Sequence, residues 1–256
     1  MGAMLCEYVL LSLKEFGKLP ENGAVIRTIV TSPFCDYICK KYGVKIYECL
    51  TGFKWIAAVE DELERNNSGT YVFGLEESYG CKVEKDVMDK DGVSAAAMIA
   101  EMTLYWASKG KSILEHLDDM YKEYGFFEDR AISKNFPGSA GKDTMKGIMT
   151  QLRTKDLKKF GGKNVIQIRD IENSVAYNPK TPENKTIIAL PKSNVLQFIL
   201  EGGTIVSARP SGTEPKIKFY INARTDSDAG LEKAKIESMT LCDAITDDIK
   251  KMLETA

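Results

Sequence analysis

Histidine is almost absent from this sequence, since His116 is the only one among 256 residues. The six cysteines form no Cys-x-x-Cys pair, so no zinc-binding spacing is present. His116 itself falls in a predicted helix without a partner cluster, and we do not expect it to act in catalysis. The cysteines lie in apolar or helical settings, which favours buried free thiols in a reducing compartment.

A surplus of charge is also missing, because 35 basic residues balance 37 acidic ones and leave a net charge of −2. This balance excludes a broad electrostatic surface for nucleic acid or an anionic membrane. No apolar run approaches membrane-spanning length, and the apolar start is interrupted by Glu7 and lacks a signal-peptide cleavage site. We therefore expect a cytoplasmic protein with no nucleic-acid partner and no membrane partner.

The first half of the chain alternates predicted strands with predicted helices. The strands are expected at 24–31, 44–49 and 70–74, with helices between them that begin at Ser32, as a cap, and at Lys54. This order predicts an α/β fold with a mixed or mostly parallel sheet. A helix at 91–110, rich in Ala, Met and Leu, is expected to be buried, and a capping box of Ser112 and Glu115 predicts one more helix.

The pattern changes near Gly125, where strands become frequent. Strands are predicted at 164–173, 194–200, 204–209 and 216–223, an extended segment at 126–136, helices at 141–160 and 228–253, and a loop at 174–185. Many strands with helices at the flanks predict a separate α+β domain with an antiparallel sheet. We therefore expect a mixed αβ domain at 1–125 and an α+β domain at 126–256, the second able to swing on the first.

Two loops follow predicted strands of the first domain. One is Thr-Gly-Phe-Lys at 51–54, and the other is Gly-Leu-Glu-Glu-Ser-Tyr-Gly at 74–80. In such sheets, ligands bind beyond the carboxyl ends of the strands. Two carboxylates, a hydroxyl and glycines in one loop suit a polyol, because they offer acceptors for sugar O–H groups and close backbone approach. An ordinary solvated acidic loop is the alternative that these residues leave open.

A third loop, Arg-Pro-Ser-Gly-Thr-Glu-Pro at 209–215, joins two predicted strands of the second domain. Its prolines and glycine make a turn wider than a tight hairpin, and such a turn can aim backbone N–H groups at an anion. Arg209 can bind phosphate oxygens bidentately, the hydroxyls of Ser211 and Thr213 add donors, and Lys218 lies on the next strand. An ordinary polar turn is the alternative. Since the chain has no basic surface overall, the expected anion belongs to a small ligand.

In their order along the chain, these three motifs resemble those of the α-D-phosphohexomutases, above all the bacterial-type phosphoglucomutases and phosphomannomutases. The resemblance covers essentially the whole chain, including the stretch Leu-Pro-Lys-Ser-Asn-Val at 190–195. That family has four domains, and this chain resembles the third and fourth. The family's reactive phosphoserine loop and its Asp-rich magnesium loop belong to the first two domains, and neither string occurs here.

The resemblance implies a role for individual residues. Glu76 and Ser78 correspond to positions that hold sugar hydroxyls, and Thr51, Gly52 and Lys54 correspond to a loop that distinguishes two orientations of the sugar. The clamp for the non-reacting phosphate corresponds to Arg209, Ser211, Gly212, Thr213 and Lys218. No catalytic residue and no metal ligand is expected in this sequence, and Mg²⁺ is expected only in the full-length parent.

The resemblance also implies an activity, which is the interconversion of hexose 1-phosphate and hexose 6-phosphate through a bisphosphorylated sugar. We expect a C-terminal fragment that is inactive alone, whose partners are a phosphosugar and the missing N-terminal domains of the same protein. The two grips are expected to face each other across a cleft. The alternatives are a stand-alone, non-catalytic phosphosugar-binding module and a fragment of a phosphoglucosamine mutase. Glucose and mannose differ in one epimeric hydroxyl, and the sequence does not distinguish them.

Overall fold

The computed structural model describes residues 1–83, 85–138, 141–155, 157–212 and 214–254. The chain divides into two compact units, Met1–Tyr124 (unit 1) and Gly125–Ala256 (unit 2). Both units combine helices with a β-sheet, which confirms the predicted α/β fold class.

Unit 1 is built on a four-stranded sheet with the order β2-β1-β3-β4. Its elements are α1 (Gly2–Glu15), β1 (Gly23–Thr28), α2 (Phe34–Tyr42), β2 (Lys45–Cys49), α3 (Phe53–Arg65), β3 (Thr70–Glu76), β4 (Gly80–Lys82), α4 (Gly92–Ser108) and α5 (Ile113–Tyr124). Strands β1, β2 and β3 are parallel, whereas β4 returns antiparallel to β3. The central strand β1 is buried along its whole length, as is usual for a parallel strand covered on both faces.

Some local predictions in unit 1 are confirmed. The backbone N–H of Ser112 donates to the Glu115 carboxylate at 2.8 Å, and the N–H of Glu115 donates to the Ser112 hydroxyl at 3.2 Å, which is a capping box. Ser32, by contrast, does not cap α2. The N-cap position is Pro33, and no side chain makes a capping hydrogen bond there.

Two predictions in unit 1 are wrong, one about the burial of α4 and one about the partners of His116. Of the residues in α4 only Met102 is buried, and Val93 and Leu104 are 83% and 72% exposed. Apolar composition predicted the helix correctly, but burial depends on which elements pack against it. His116 is buried and has partners, because its Nε2 lies 3.2 Å from Glu7 Oε2 and its ring stacks on Trp106 at 3.6 Å.

Unit 2 is built on an eight-stranded sheet with the order β5-β12-β11-β10-β7-β8-β9 and with β6 paired to β7. Its elements are β5 (Phe126–Asn135), α6 (Gly141–Thr154), β6 (Lys159–Phe160), β7 (Lys163–Asp170), β8 (Val175–Asn178), β9 (Thr181–Ile187), β10 (Leu196–Leu200), β11 (Ile205–Pro210), β12 (Lys216–Thr225) and α7 (Leu231–Glu254). The strand pairs are antiparallel. Apolar residues of the central strands pack with those of α6 and α7, which confirms the predicted antiparallel sheet flanked by helices.

Two segments of unit 2 differ from their predictions. The expected loop at 174–185 is largely the hairpin of β8 and β9, with Asn178 accepting a hydrogen bond from the N–H of Lys180 at 2.8 Å at its turn. All residues of β9 are exposed, so this strand lacks the apolar alternation that marks a half-buried strand. The expected helix at 141–160 ends at Thr154, and its last two residues form β6.

Candidate functional site

The carboxyl ends of three parallel strands meet at one edge of the unit 1 sheet. Thr28 ends β1, Thr51 follows β2, and Glu76 ends β3. The Thr28 hydroxyl is 2.8 Å from that of Thr31 and donates to Glu77 Oε2 at 3.1 Å. The two loops predicted from the sequence therefore lie at the same edge, joined by a third segment that the sequence reasoning missed.

The β3–β4 hairpin at residues 74–82, called the acidic hairpin below, contains the predicted sugar-loop residues. The loop is shorter than predicted, because β3 continues to Glu76 and Gly80 already begins β4. The Glu76 side chain is 8% exposed, and its Oε1 lies 2.5 Å from the Nζ of Lys90. The same ammonium donates to the carbonyl oxygen of Ser78 at 3.1 Å. Lys90 thus connects Glu76 with the turn.

Lys90 was not identified from the sequence. It lies between Asp89 and Asp91, outside any motif, and it reaches Glu76 only because the chain folds back after β4. Close packing fixes this arrangement at Gly80. A Cβ atom at that position would lie 2.5 Å from the Phe53 ring and 2.7 Å from Lys90 Cε, so a larger residue does not fit without a shift.

A buried ion pair anchors the acidic hairpin to helix α3. Lys82 Nζ is 2.6 Å from Glu60 Oε2, and their side chains are 0% and 3% exposed. The Tyr71 hydroxyl donates to the carbonyl oxygen of Lys82 at 2.6 Å, and the Lys82 ammonium lies 4.2 Å from the centre of the Tyr71 ring. Burial raises the pKa of Glu60, and Lys82 opposes this rise. The position of β4 therefore depends on contacts with residues that are distant along the chain.

The predicted loop at 51–54 leads into α3 at the same edge of the sheet. Gly52 is the N-cap of α3 with φ +115°, a backbone conformation that residues with a side chain rarely adopt. Lys54 is exposed, with its Nζ 5.2 Å from the centre of the Trp55 ring. The hydroxyls of Thr51 and of Ser32, in the turn after β1, are buried without a hydrogen-bond partner in the described part of the chain. Buried polar groups are normally satisfied, so these two require an explanation.

The second predicted grip lies on β11, β12 and the turn between them, at residues 209–218, called the basic turn below. Arg209 and Pro210 are part of β11, so the connection itself is 211–215. Arg209 is directly opposite Lys218 on β12, and Lys218 is directly opposite Ser133 on β5. Side chains in such cross-strand pairs share one face of the sheet, with Cβ atoms roughly 4.5–5.5 Å apart.

The two cations of this row make no direct ion pair in the described ranges, although the charge of Lys218 helps to lower the pKa of the Glu214 carboxyl group. Lys216 forms an ion pair with Glu214, and its hydrogen bond and charge lower the pKa of that carboxylate. Arg209 and Lys218, by contrast, form no ion pair with any residue of the described ranges. Two adjacent unpaired cations on a sheet face are suited to bind an anion with charge-assisted hydrogen bonds.

The turn residues are only partly described. The Ser211 hydroxyl accepts a hydrogen bond from the N–H of Glu214 at 3.2 Å, and the Ser211 N–H donates to the Lys216 carbonyl at 2.8 Å, which closes the turn. Gly212 is exposed, and Thr213 lies outside the described residues. The convergence of Arg209, the turn hydroxyls and the Gly212 N–H on one anion therefore stays a prediction.

The described ranges contain no group of three or more His, Cys, Asp or Glu side chains that could hold a metal ion. Within the same ranges, helices of the length and apolar character needed to cross a membrane are absent.

Comparison with known proteins accounts for most of the chain. Residues 1–124 match the family model of phosphoglucomutase/phosphomannomutase, alpha/beta/alpha domain III, and residues 149–238 match that of the C-terminal domain. A phosphoglucomutase of Staphylococcus haemolyticus is 32% identical over 227 residues, which is 89% of this chain and 40% of the relative. One of Staphylococcus epidermidis is 33% identical over 226 residues, or 88% and 40%. The chain thus spans about 40% of the length of these relatives.

Solved structures show the same fold. The exocytosis-sensitive phosphoprotein parafusin, a phosphoglucomutase from Paramecium in its open form, superposes with a TM-score of 0.62 at 18% identity, over 99% of this chain and 40% of that one. A phosphoglucomutase/phosphomannomutase family protein from Burkholderia thailandensis gives a TM-score of 0.53 at 13% identity, over 99% and 41%. At such identities the likeness concerns the fold alone. With two models of one family matched in succession, the chain belongs to the phosphoglucomutase/phosphomannomutase family, the α-D-phosphohexomutases, and corresponds to its domain III and C-terminal domain.

Proposed function

We propose that this chain is the substrate-holding part of a cytoplasmic phosphoglucomutase or phosphomannomutase. The whole enzyme interconverts hexose 1-phosphate and hexose 6-phosphate through a bisphosphorylated sugar. In this proposal the reactive serine and the Mg²⁺ ligands come from N-terminal domains of the same protein, and this chain does not turn over substrate alone. One observation carries the proposal, namely the buried hydroxyls of Ser32 and Thr51, which have no hydrogen-bond partner among the described residues and follow strands of the sheet that also carries the acidic hairpin.

The sugar grip is formed, in this proposal, by groups at the edge of the unit 1 sheet. Glu76 accepts hydrogen bonds from sugar O–H groups, and the Ser78 hydroxyl adds a further donor and acceptor. The unsatisfied hydroxyl of Thr51 gains a partner from the ligand, which removes the cost of leaving it buried and unpaired. Gly52 allows close approach of the ligand to the backbone, and Lys54 supplies an exposed cation at the rim.

The phosphate grip is formed by the basic turn. Arg209 and Lys218 are adjacent cations without ion-pair partners in the described ranges, and each hydrogen bond to a phosphate oxygen is worth roughly 1.5–3 kcal/mol. The backbone N–H of Gly212 and the hydroxyls of Ser211 and Thr213 complete the clamp. Ser211 accepts one hydrogen bond within the turn, and its O–H can still donate to the ligand.

The two grips contribute positioning rather than bond-making. Phosphoryl transfer depends largely on holding the reacting groups in line and on stabilising charge, and correct orientation alone removes a large part of a barrier. A hexose phosphate has a hydroxyl-rich ring and a dianionic phosphate, which match the acidic hairpin and the basic turn in chemistry.

Calorimetry of the purified chain tests the proposal. Glucose 1-phosphate and mannose 1-phosphate should bind, and at least one of them should bind more tightly than inorganic phosphate, because it engages both grips. If no hexose phosphate binds, the proposed function is wrong. If glucosamine 1-phosphate binds most tightly, the parent enzyme is a phosphoglucosamine mutase instead.

A stand-alone phosphosugar-binding module is the alternative from a different class, because both proposed grips lie within this chain. The two hypotheses predict different results when separate N-terminal domains and Mg²⁺ are added to this chain. Mixing this chain with separately purified N-terminal domains of a staphylococcal phosphoglucomutase, with Mg²⁺, should produce glucose 1-phosphate turnover if our proposal is right. Neither part should turn over substrate alone. Tight binding without any reconstituted turnover would favour the binding module.

A further inference from the structure

The turn of the acidic hairpin has a tyrosine at the position that requires a left-handed backbone conformation. Glu76 pairs with Gly80, so residues 77–79 form a three-residue loop. The last residue of such a loop usually adopts the left-handed conformation, which glycine fills without strain. Here that residue is Tyr79, with φ +57°. A left-handed backbone is unfavourable for a bulky residue, because its side chain clashes with the backbone. Tyr79 is therefore a position of local backbone strain.

The fold gains no visible compensation for this conformation. The Tyr79 side chain is 99% exposed, and within the described ranges it makes no hydrogen bond or ring contact. A strained, fully exposed aromatic residue with no partner among the described residues is better explained by a ligand than by stability.

The position of Tyr79 indicates which ligand. It follows Ser78, whose carbonyl oxygen is bound by Lys90, and Lys90 also pairs with Glu76. Tyr79 therefore belongs to the same turn as the polar groups that we assign to the sugar. A hexose carries hydroxyls around its edge and C–H groups on its two faces, and an aromatic ring offers a large apolar surface to such a face. We infer that Tyr79 contacts the apolar face of the bound hexose; this inference rests on the proposed function above.

Two substitutions separate the ring from its backbone conformation. Tyr79→Phe keeps the ring, whereas Tyr79→Asn removes it and places a residue that tolerates the left-handed region. Calorimetry with glucose 1-phosphate should show the dissociation constant of Tyr79→Asn raised by about threefold to tenfold, as expected for the loss of one aromatic contact. The Tyr79→Phe variant should stay within about twofold of the parent. Inorganic phosphate, which engages only the basic turn, should bind all three proteins alike.

The controls address the fold and the choice of aromatic residue. The melting temperature of Tyr79→Asn should be equal to or higher than that of the parent, because strain is relieved and no contact is lost. Phe16 is also strongly exposed, at 75%, but lies at the end of α1 away from these loops in the chain. Phe16→Asn should therefore leave glucose 1-phosphate binding unchanged.

The outcomes are distinguishable. If the parent binds glucose 1-phosphate and Tyr79→Asn binds it equally well, the inference about Tyr79 is overturned while the proposed function stands. If the parent binds no hexose phosphate, the inference about Tyr79 and the proposed function are both wrong. If Tyr79→Asn has a lower melting temperature and loses affinity for both ligands, the tyrosine supports the hairpin rather than the sugar, and the inference is again overturned.

Discussion

The acidic hairpin of unit 1 and the basic turn of unit 2 are built in opposite ways. Around the acidic hairpin, side chains from distant segments are already paired, as Glu76 is with Lys90 and Lys82 with Glu60. In the basic turn, the two prominent cations come from consecutive strands and have no ion-pair partner among the described residues. The side chains of the acidic hairpin are therefore held by contacts with segments distant in sequence. The cations of the basic turn are brought together by the pairing of two consecutive strands alone.

This difference has an energetic consequence. Changes in the supports of the acidic hairpin should alter stability strongly, because they leave buried charges without partners. Changes in the basic turn should alter ligand binding with little effect on stability, since exposed or half-exposed cations contribute little to folding. The following predictions test this contrast.

The largest expected effect is on stability in unit 1. Lys82→Met leaves Glu60 buried without its partner and should lower the free energy of unfolding by about 3–5 kcal/mol. Urea denaturation measures the change. Lys85→Met is the matched control, because Lys85 pairs with Glu64 on the surface, where both side chains are about half exposed, and it should cost roughly 0–1 kcal/mol. Equal effects of the two substitutions would contradict the structural role of the buried pair.

The same variant should show a characteristic pH dependence. Burial raises the pKa of Glu60, and Lys82 opposes the rise. For a carboxylate with a raised pKa in the folded state, the linked stability is present at low pH and is lost as pH rises through the folded pKa. Lys82→Met removes the opposing contribution, so its deficit in stability should shrink as the pH falls through the raised folded-state pKa of Glu60. The double variant Glu60→Gln with Lys82→Met should lack this trend, and a deficit that grows at low pH would refute it.

The next effect is on phosphate binding in unit 2. Arg209→Ala removes a bidentate contact worth roughly 1.5–3 kcal/mol and should weaken glucose 1-phosphate binding about tenfold to a hundredfold, with an unchanged melting temperature. Calorimetry measures both this ligand and inorganic phosphate. Lys216→Ala is the control, because Lys216 is already paired with Glu214 and should matter little. If Arg209→Ala binds phosphate as the parent does, the basic turn is an ordinary turn.

Substitution of Glu76 should weaken binding of the sugar phosphate but not of inorganic phosphate. Glu76→Ala removes acceptors for sugar hydroxyls and should weaken glucose 1-phosphate binding by roughly 1–2 kcal/mol, or about fivefold to thirtyfold. Inorganic phosphate binding should stay nearly unchanged, because that ligand has no sugar ring. Titration of both ligands into the Glu76→Ala and Glu64→Ala proteins makes the comparison, with the exposed Glu64 as control. A parallel loss for both ligands would mean that Glu76 does not contact the sugar.

The smallest effect concerns the cross-strand row of the basic turn. Ser133→Glu places a carboxylate directly opposite Lys218, and a cross-strand charge pair is worth about 0.2–1 kcal/mol. Inorganic phosphate should therefore bind up to about fivefold more weakly, and the loss should diminish at high salt. Ser133→Ala, which adds no charge, serves as the reference. An unchanged affinity of Ser133→Glu at low salt would show that Lys218 does not face the phosphate.

Sequence reasoning succeeded where the interacting groups are close along the chain. The capping box of Ser112 and Glu115 spans three residues, and the strands around the basic turn are joined by a short connection. It failed where the partner lies far away along the chain, or where an element lacks the residue pattern that normally predicts it. His116 was assigned no partner, although Glu7, 109 residues away, lies beside it, and the exposed strand β9 carries no apolar alternation.

The sequence by itself determined the chemical groups of both candidate grips, the order of helices and strands that carries them, and membership in one enzyme family. Only the tertiary structure decided which of these groups are already paired. It showed that Lys90 reaches Glu76, that Thr28 reaches Glu77 across 49 residues, and that the buried Thr51 hydroxyl has no hydrogen-bond partner among the described residues. The physical reason is that hydrogen bonds and ion pairs depend on distances of a few ångströms, which pattern and propensity along a chain do not specify.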